Sequence, residues 1–488
     1  MTGASLDLGA RAAERPGGVA LVDATGATLT WGELAVHAAT VARRLADHAA
    51  AGDHGLAVPI AFVADATPAT FILIHALIAA GRPFLPVHPR LGAAGAAALA
   101  ASLGATPLVD VAELVVRAEP VAAHDASNVG LVSRGRAWPD DERPLAVLAT
   151  SGTSAAPKGV VLPRRAFAAS AAASARNIPL GPRDRWLACM PLAHAGGLSI
   201  VTRTLAAGAG VVLLPRFEPG ALLDAVTVHH ATHLSVVPTM LAALLEDRDA
   251  AALARLAQQI HGTRRAADQD LVEARARGIP ALASYGLTEA CSQVTTQPRA
   301  DVDRVPDGDS GVPLDGVAIA VRGADGQLLG PDREGEILVR GPTLMTGYRG
   351  APPRAASDWH PTGDVGVVRA DGRLVVLARR TDLVVTGGEN VAPAAVEAAL
   401  LAHPAVREAV VFGVDDPRWG QVVAAAIVAA PGTDLDRVVA EVGGGLPPHA
   451  RPRRVVAIDG VPRTAKGEPD RAAARARWSA VARPLTPR

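Results

Sequence analysis

Short apolar runs alternate with alanine-rich helical stretches over the first part of the chain. VALVDA, PIAFVA and FLPV fall among helix-like patterns at Trp31–Ala50 and Leu91–Leu103. Strands separated by helices predict parallel βαβ units, and the rhythm continues through Val211–Leu214, His233–Val237 and Pro280–Ala283. The richest apolar stretch, Phe71–Ala80, ends at Gly81-Arg82-Pro83 and predicts a buried helix. It is too short to span a bilayer, which takes about 18 or more apolar residues. Around Val317 the pattern changes to strands with tight turns: VAIAVRGADGQLLG, GEILVRG and GRLVVLAR. Ala324-Asp325-Gly326 and Ala370-Asp371-Gly372 have the composition of hairpin turns.

After Arg379-Arg380 the character changes again. Pro393–Ala402 has helical periodicity, with Pro393 suited to a first turn. Strands at Val406–Val414 and Val422–Val428, a helix at Leu435–Leu446 and a last strand at Arg454–Ile458 follow. The Ala/Arg-rich stretch Arg471–Arg488 predicts a helix fraying into a disordered end. The expected fold class is α/β: a large N-terminal domain of βαβ sheets plus a small β subdomain, and an α+β C-terminal domain. The expected boundaries are 1–378, a connecting segment 379–383, and 384–488.

At 488 residues the chain is too long for one ordinary core. It can bury enough apolar surface without disulfides or metals. A formal net charge of +0 argues against a nucleic-acid partner. Cys189 and Cys291 fit no metal-ligand spacing, and the N-terminus lacks the pattern of a secretory signal. A reduced, cytoplasmic protein without a membrane span is expected; nothing sets the oligomeric state beyond the general prior for a homodimer. One compositional fact adds to the picture. Of 48 basic residues only Lys158 and Lys466 are lysine. Arginine cannot replace lysine where a compact ammonium must approach a reacting oxygen, so both lysines become candidates for chemistry.

Lys158 closes the first motif. The apolar strand Leu145–Ala149 runs into Thr150-Ser151-Gly152-Thr153-Ser154 and, past Pro157, reaches Lys158. Small residues let backbone N–H groups approach phosphate oxygens, and hydroxyls add donors. The order of a Walker A loop is absent, and a plain Ser/Gly connection is the competing reading. The second motif, Ser284-Tyr285-Gly286-Leu287-Thr288-Glu289, follows a predicted strand end, where ligands sit in open α/β sheets. Tyrosine can stack a purine, glycine permits close approach, and Thr288 and Glu289 can serve phosphate and Mg²⁺. A strand-to-helix turn with Thr-Glu capping is the alternative. Thr362-Gly363-Asp364 offers a carboxylate to ribose hydroxyls. Arg379-Arg380-Thr381-Asp382 and Thr386-Gly387-Gly388-Glu389-Asn390-Val391 complete the series.

In this order and spacing the motifs resemble the adenylate-forming superfamily of acyl-CoA synthetases, adenylation domains and firefly luciferase, over essentially the whole chain. Within it, Pro191-Leu192-Ala193-His194-Ala195-Gly196-Gly197-Leu198-Ser199, the stretch Ser284–Gln293, ARRTDLVVTGGENVAP and the short length are similar to the o-succinylbenzoate–CoA ligases of menaquinone synthesis. The resemblance implies a C-terminal domain that rotates about a hinge at Thr381. It implies activation of a carboxylic acid as its acyl-AMP, then transfer to coenzyme A, with ATP and Mg²⁺ as the other requirements. Thr150, Ser151, Gly152, Thr153, Ser154 and Lys158 would hold the leaving pyrophosphate, and Thr288 the phosphates. Glu289 would hold Mg²⁺. Tyr285 with Gly286 would take adenine, and Asp364 and Arg379 the ribose. His194, Ser284 and Arg264 would line the acyl pocket, and Gly387, Gly388 and Glu389 the CoA channel.

Two departures qualify the likeness. The family's loop resembling Pro-Arg-Thr-Ala-Ser-Gly-Lys reads here Pro462-Arg463-Thr464-Ala465-Lys466-Gly467-Glu468, placing Glu468 where the catalytic lysine stands. Either a shifted loop lets Lys466 do that work, or the carboxylate repels ATP and acid and adenylation fails. The family's small Gly-Gly segment reads Ile260-His261-Gly262-Thr263-Arg264-Arg265; Arg264 either meets a second carboxylate or is a surface arginine. The alternatives are another aryl- or acyl-CoA ligase, an enzyme loading a carrier protein, and a degenerate nucleotide- or acyl-binding protein.

Overall fold

Leu145, Ala146, Val147 and Leu148 are consecutive and all fully buried. A strand covered on both faces accounts for that. In the protein's structure, a computed structural model, this strand is Pro144–Thr150. The structure describes residues 6–51, 58–116, 141–150, 157–246, 250–256, 258–262, 268–304, 308–379, 383–386, 389–464 and 469–485. The strand lies in a five-stranded sheet ordered Gly347–Tyr348, Lys158–Pro163, Pro144–Thr150, Phe84–Val87, Ile60–Val63. It pairs parallel with Phe84–Val87 but antiparallel with Lys158–Pro163. The expected run of purely parallel units therefore breaks here. The interval from Thr150 to Lys158 is shorter than the dozen or so residues that a parallel crossover needs, so the chain returns beside itself.

A nine-stranded sheet carries the rest of the N-terminal region. Its middle strands, from Val19–Val22 through Gly210–Leu213, Arg185–Ala188, His233–Val236 and Gln258–Gly262 to Ala281–Leu287, are parallel. Antiparallel strands close both ends: Thr28–Thr30 on one side, Ser292–Thr296 and Val312–Pro313 on the other. The helix expected at Phe71–Ala80 is Pro68–Ala80. Thr67 caps its start through the Thr70 N–H, and Gly81 ends it in the left-handed region at φ +68°. Phe71, Leu73, Ile74 and Leu77 are fully buried along it. The small β subdomain is a four-stranded antiparallel sheet of Ala318–Arg322, Glu334–Arg340, His360–Val368 and Leu374–Arg379.

The smaller C-terminal region has its own sheet and its own apolar core around Val396, Leu400, Val411, Val423, Ile427 and Val455. The tail departs from expectation. Helix Arg471–Trp478 is followed by a short strand, Arg483–Pro484, that pairs with Arg454–Ala457. One buried ion pair ties this region together. The Glu397 carboxylate accepts the Val411 N–H at 2.9 Å and the Arg471 Nε–H at 3.0 Å, with both side chains under a tenth exposed. Helix Pro393–Leu401, strand Val406–Asp416 and the last helix thus share one carboxylate. Removing one partner strands the other charge in a dry setting. Glu397→Ala is expected to cost about 3–5 kcal/mol in urea unfolding of this region, against about 1 kcal/mol or less for an exposed pair.

Candidate active site

Lys158 opens its strand directly opposite Thr150, so the two ends of the hydroxyl-rich segment are held at one backbone pair. The Thr150 hydroxyl faces the Lys158 carbonyl at 3.5 Å. Gly159 follows for a steric reason: a Cβ there would lie 2.9 Å from Val147 Cγ1 and 3.0 Å from Leu103 Cδ2. The Lys158 ammonium stands 5.4 Å from the ring centroid of Tyr348, within reach of the attraction between a cation and an aromatic face. Ser151, Gly152, Thr153 and Ser154 lie outside the described residues.

The Tyr-Gly box is not a loop after a strand, the arrangement expected from its residues. Strand Ala281–Leu287 runs through it, and the register slips between Tyr285 and Gly286. The return strand passes so close that a Cβ on Gly286 would sit 1.8 Å from the Ser292 carbonyl oxygen. The connecting turn takes Cys291 and Ser292 to φ +53° and +92°, conformations that side chains with a Cβ seldom adopt. Tyr285 donates from Oη to Asp364 Oδ2 at 2.7 Å. Asp364 is held in turn by its N–H on Thr362 Oγ1 at 3.1 Å, and it pairs in register with Arg379. Sequence segments well separated along the chain, the Tyr-Gly box and Thr-Gly-Asp, therefore meet at one carboxylate.

Thr288 and Glu289 begin a short 3-10 turn, Thr288–Ala290. Glu289 Oε1 accepts the Tyr348 hydroxyl at 3.0 Å, and its carbonyl accepts the Met345 N–H at 2.8 Å. Burial first, and then the adjacent Glu289 carboxylate, raise the Tyr348 phenol above its ordinary range, so it stays a proton donor. Mg²⁺ is satisfied by one or two carboxylates together with substrate phosphates and water. The residues fit that demand: Glu289 offers one carboxylate, joined through the Tyr348 hydroxyl to the ring that the Lys158 ammonium faces.

At the other end, His194 occupies the position before helix Ala195–Ala207 but makes no side-chain cap there. Its ring packs against His88, centroids 5.3 Å apart. Burial, then Arg90, lower the His88 pKa. Gly197 lets the backbone turn in, since a Cβ would meet the Pro191 carbonyl oxygen at 2.3 Å. Ser284, expected against the acyl group, has its hydroxyl engaged in the sheet, donating to the Thr295 carbonyl at 2.9 Å. Arg264, Thr381, Gly387, Gly388 and Lys466 lie outside the described residues, as does Glu468. Glu389 pairs in register with Thr386. On either side of the Lys466 segment, Arg463 and Pro469 bridge antiparallel and the Asp470 N–H bonds the Pro462 carbonyl at 2.7 Å.

Two residues at this site belong to none of the sequence motifs: Tyr348 and His88. For Tyr348 a signal existed. The chain has only two tyrosines, Tyr285 and Tyr348, and the scarcity that singles out the lysines applies equally to them. His88 carries no comparable mark among 14 histidines.

Known proteins resemble this chain over these same elements. A 2-succinylbenzoate–CoA ligase from Bacillus velezensis is 40% identical over 324 residues, 65% of this chain and 66% of that one. The match thus spans just under two thirds of that relative's length. The o-succinylbenzoate CoA synthetase from Bacillus subtilis, in complex with its acyl-adenylate intermediate, superposes with a TM-score of 0.83 at 29% identity, covering 98% of this chain and 99% of that one. A double mutant of the same synthetase, bound to a product analogue, gives a TM-score of 0.65 at 29% identity and covers 96% and 98%. The model of the AMP-binding enzyme matches residues 8–349, and that of the AMP-binding enzyme C-terminal domain matches 395–468. The chain therefore belongs to the family of AMP-binding enzymes.

Proposed function

We infer that the chain is an ATP-dependent carboxylate–CoA ligase whose acid is o-succinylbenzoate, acting in menaquinone synthesis in the cytoplasm. The observation that carries this reading is the meeting of Tyr285 with Asp364 and of Glu289 with Tyr348, beside Lys158. A purine nucleotide laid over Tyr285 brings its ribose to Asp364 and Arg379, and its phosphates toward Thr288 and Lys158. A carboxylate oxygen of the acid attacks the α-phosphorus, the bond to the β-phosphate oxygen breaks, and pyrophosphate leaves. Bound Mg²⁺, held by Glu289, would offset charge on the phosphate oxygens. The protein contributes position and fixed charge, with no covalent step of its own. Lys158, the Thr150–Ser154 segment and Gly286 cradle nucleotide and leaving group; His194 borders the acyl group, with Arg264 set to meet a second carboxylate. In the second half, the CoA sulfur attacks the acyl carbon, the bond to the AMP oxygen breaks, and the thiol proton goes to solvent. Gly387, Gly388 and Glu389 line the approach of CoA after rotation about Thr381, within the segment 379–383.

The higher TM-score with the acyl-adenylate complex than with the product-analogue complex supports an adenylate-forming arrangement of this chain. The described helices include none long and apolar enough to cross a membrane. Assembly as a homodimer belongs to the same reading. A second reading rests on one residue. Glu468 at the usual lysine position would make the chain a nucleotide-binding protein without turnover.

Wild-type protein with o-succinylbenzoate, ATP and CoA is expected to form AMP and acyl-CoA, ahead of a panel of aryl and fatty acids. Lys466→Ala is expected to lower acid-dependent pyrophosphate exchange about a hundredfold or more, the scale of losing one charge-stabilising donor. Wild-type binding of ATP with no turnover of any acid favours the second reading. Lys158→Ala is expected to slow adenylation by a comparable factor of about a hundred, while thioester formation from supplied acyl-adenylate stays near wild type.

A further inference from the structure

Tyr348 touches both charged groups of the phosphate end and has no assigned task in the reaction. Its hydroxyl donates to Glu289 Oε1 at 3.0 Å, and the face of its ring lies 5.4 Å from the Lys158 ammonium. These contacts come from different parts of one side chain, so one residue fixes an anion and a cation at once. The backbone around it is fixed just as firmly. Tyr348 pairs with Val160, the Thr346 N–H bonds the Val161 carbonyl at 3.0 Å, and the Arg349 N–H bonds the Gly159 carbonyl at 2.7 Å. Three residues before Tyr348, the Met345 N–H holds the Glu289 carbonyl at 2.8 Å. The two-residue strand Gly347–Tyr348 is thus clamped between the lysine strand and the glutamate turn. Arg349 extends the clamp, reaching the Leu103 and Gly104 carbonyls at 3.1 and 3.2 Å.

We propose that Tyr348 is the positioning residue of the phosphate site, aiming the Glu289 carboxylate at the metal through its hydroxyl and steadying Lys158 through its ring. A carboxylate that must share a small, rigidly octahedral cation with phosphate oxygens has little angular freedom. A hydrogen bond to one oxygen fixes the rotation of the carboxylate plane and directs the other oxygen's lone pairs. Partners that orient a metal ligand in this way typically matter by about ten- to a hundredfold in metal affinity or activity. The ring face stabilises an ammonium without competing for its three N–H donors, which stay available to phosphate. The two functions separate chemically: phenylalanine keeps the ring and deletes the hydroxyl, whereas leucine deletes both.

This inference rests on the ligase reading for the identity of the nucleotide, and the test keeps the two apart. Mn²⁺ binding in the presence of a non-hydrolysable ATP analogue, followed by the electron spin resonance of free Mn²⁺, requires no turnover. Tyr348→Phe is expected to weaken that binding about tenfold. It should raise by a similar factor the Mg²⁺ concentration for half-maximal pyrophosphate exchange, with the KM for ATP at saturating Mg²⁺ near wild type. Tyr348→Leu should show the same metal defect and, in addition, a raised KM for ATP. Thioester formation from supplied acyl-adenylate, which needs no metal, should be unchanged in both. Wild-type Mn²⁺ affinity in Tyr348→Phe overturns the proposal, and so does an equal loss in the thioester step, which marks a general structural defect. A wild-type protein that binds Mn²⁺ and the analogue but turns over no acid refutes the ligase reading and leaves the binding comparison valid.

Discussion

Backbone pairing between segments 185 residues apart in sequence holds the site in place. Strand Lys158–Pro163 is bonded on one side to Pro144–Thr150 and on the other to Gly347–Tyr348. The first pairing fixes both ends of the hydroxyl-rich segment, and the second brings Tyr348 beside the lysine. Because the Met345 N–H also holds the Glu289 carbonyl, the end of the nine-stranded sheet is tied to the five-stranded sheet at this same place. Charged groups set by backbone hydrogen bonds lose little when a ligand arrives, since most of their ordering is complete beforehand. That is the condition for electrostatic work on a phosphate.

Close backbone approach is the second device. Gly286, Gly197 and Gly159 each stand where a Cβ would fall within 3.0 Å of a neighbouring atom. At Gly286 the neighbour is backbone, in a turn whose next two corners, Cys291 and Ser292, already adopt positive φ. Such local strain persists only where the surroundings over-determine it. Here the surroundings are the buried polar ladder of Ser284, Gln293, Thr295 and Thr296, whose mutual bonds lock the two strands together. Ser284 serves that ladder, and the tyrosine one position later reaches across to Asp364.

A good part of this is legible in the residues themselves. Alternation of apolar runs and alanine-rich helices places strands Val19–Val22, Ile60–Val63 and Phe84–Val87 within a residue or two, and helix Pro68–Ala80 within one turn. Turn composition gives the antiparallel subdomain, and the scarcity of lysine points to Lys158 by composition alone. What stays hidden is tertiary. Tyr348 and Glu289 are 59 residues apart, and a two-residue strand leaves no periodic trace. His88, just past strand Phe84–Val87, meets His194, just before helix Ala195–Ala207, only once the chain is folded. The antiparallel return at Thr150–Lys158 runs against the expected parallel order because periodicity reports a strand and not its direction. Strand Arg483–Pro484 is hidden for a similar reason: proline and arginine carry no strand signal, and its pairing depends on Arg454 and Val455.

On the proposed reading, the reaction passes through a mixed anhydride of acid and AMP that must be stable on the protein until the thiol arrives. The most direct measurement is mass spectrometry of ligand released from wild-type protein incubated with o-succinylbenzoate and Mg·ATP in the absence of CoA. Close to one equivalent of o-succinylbenzoyl-AMP per chain is the expected result, disappearing on addition of CoA as AMP and the thioester form. Recovery of unreacted ATP alone, or of ADP with an acyl phosphate, would contradict it.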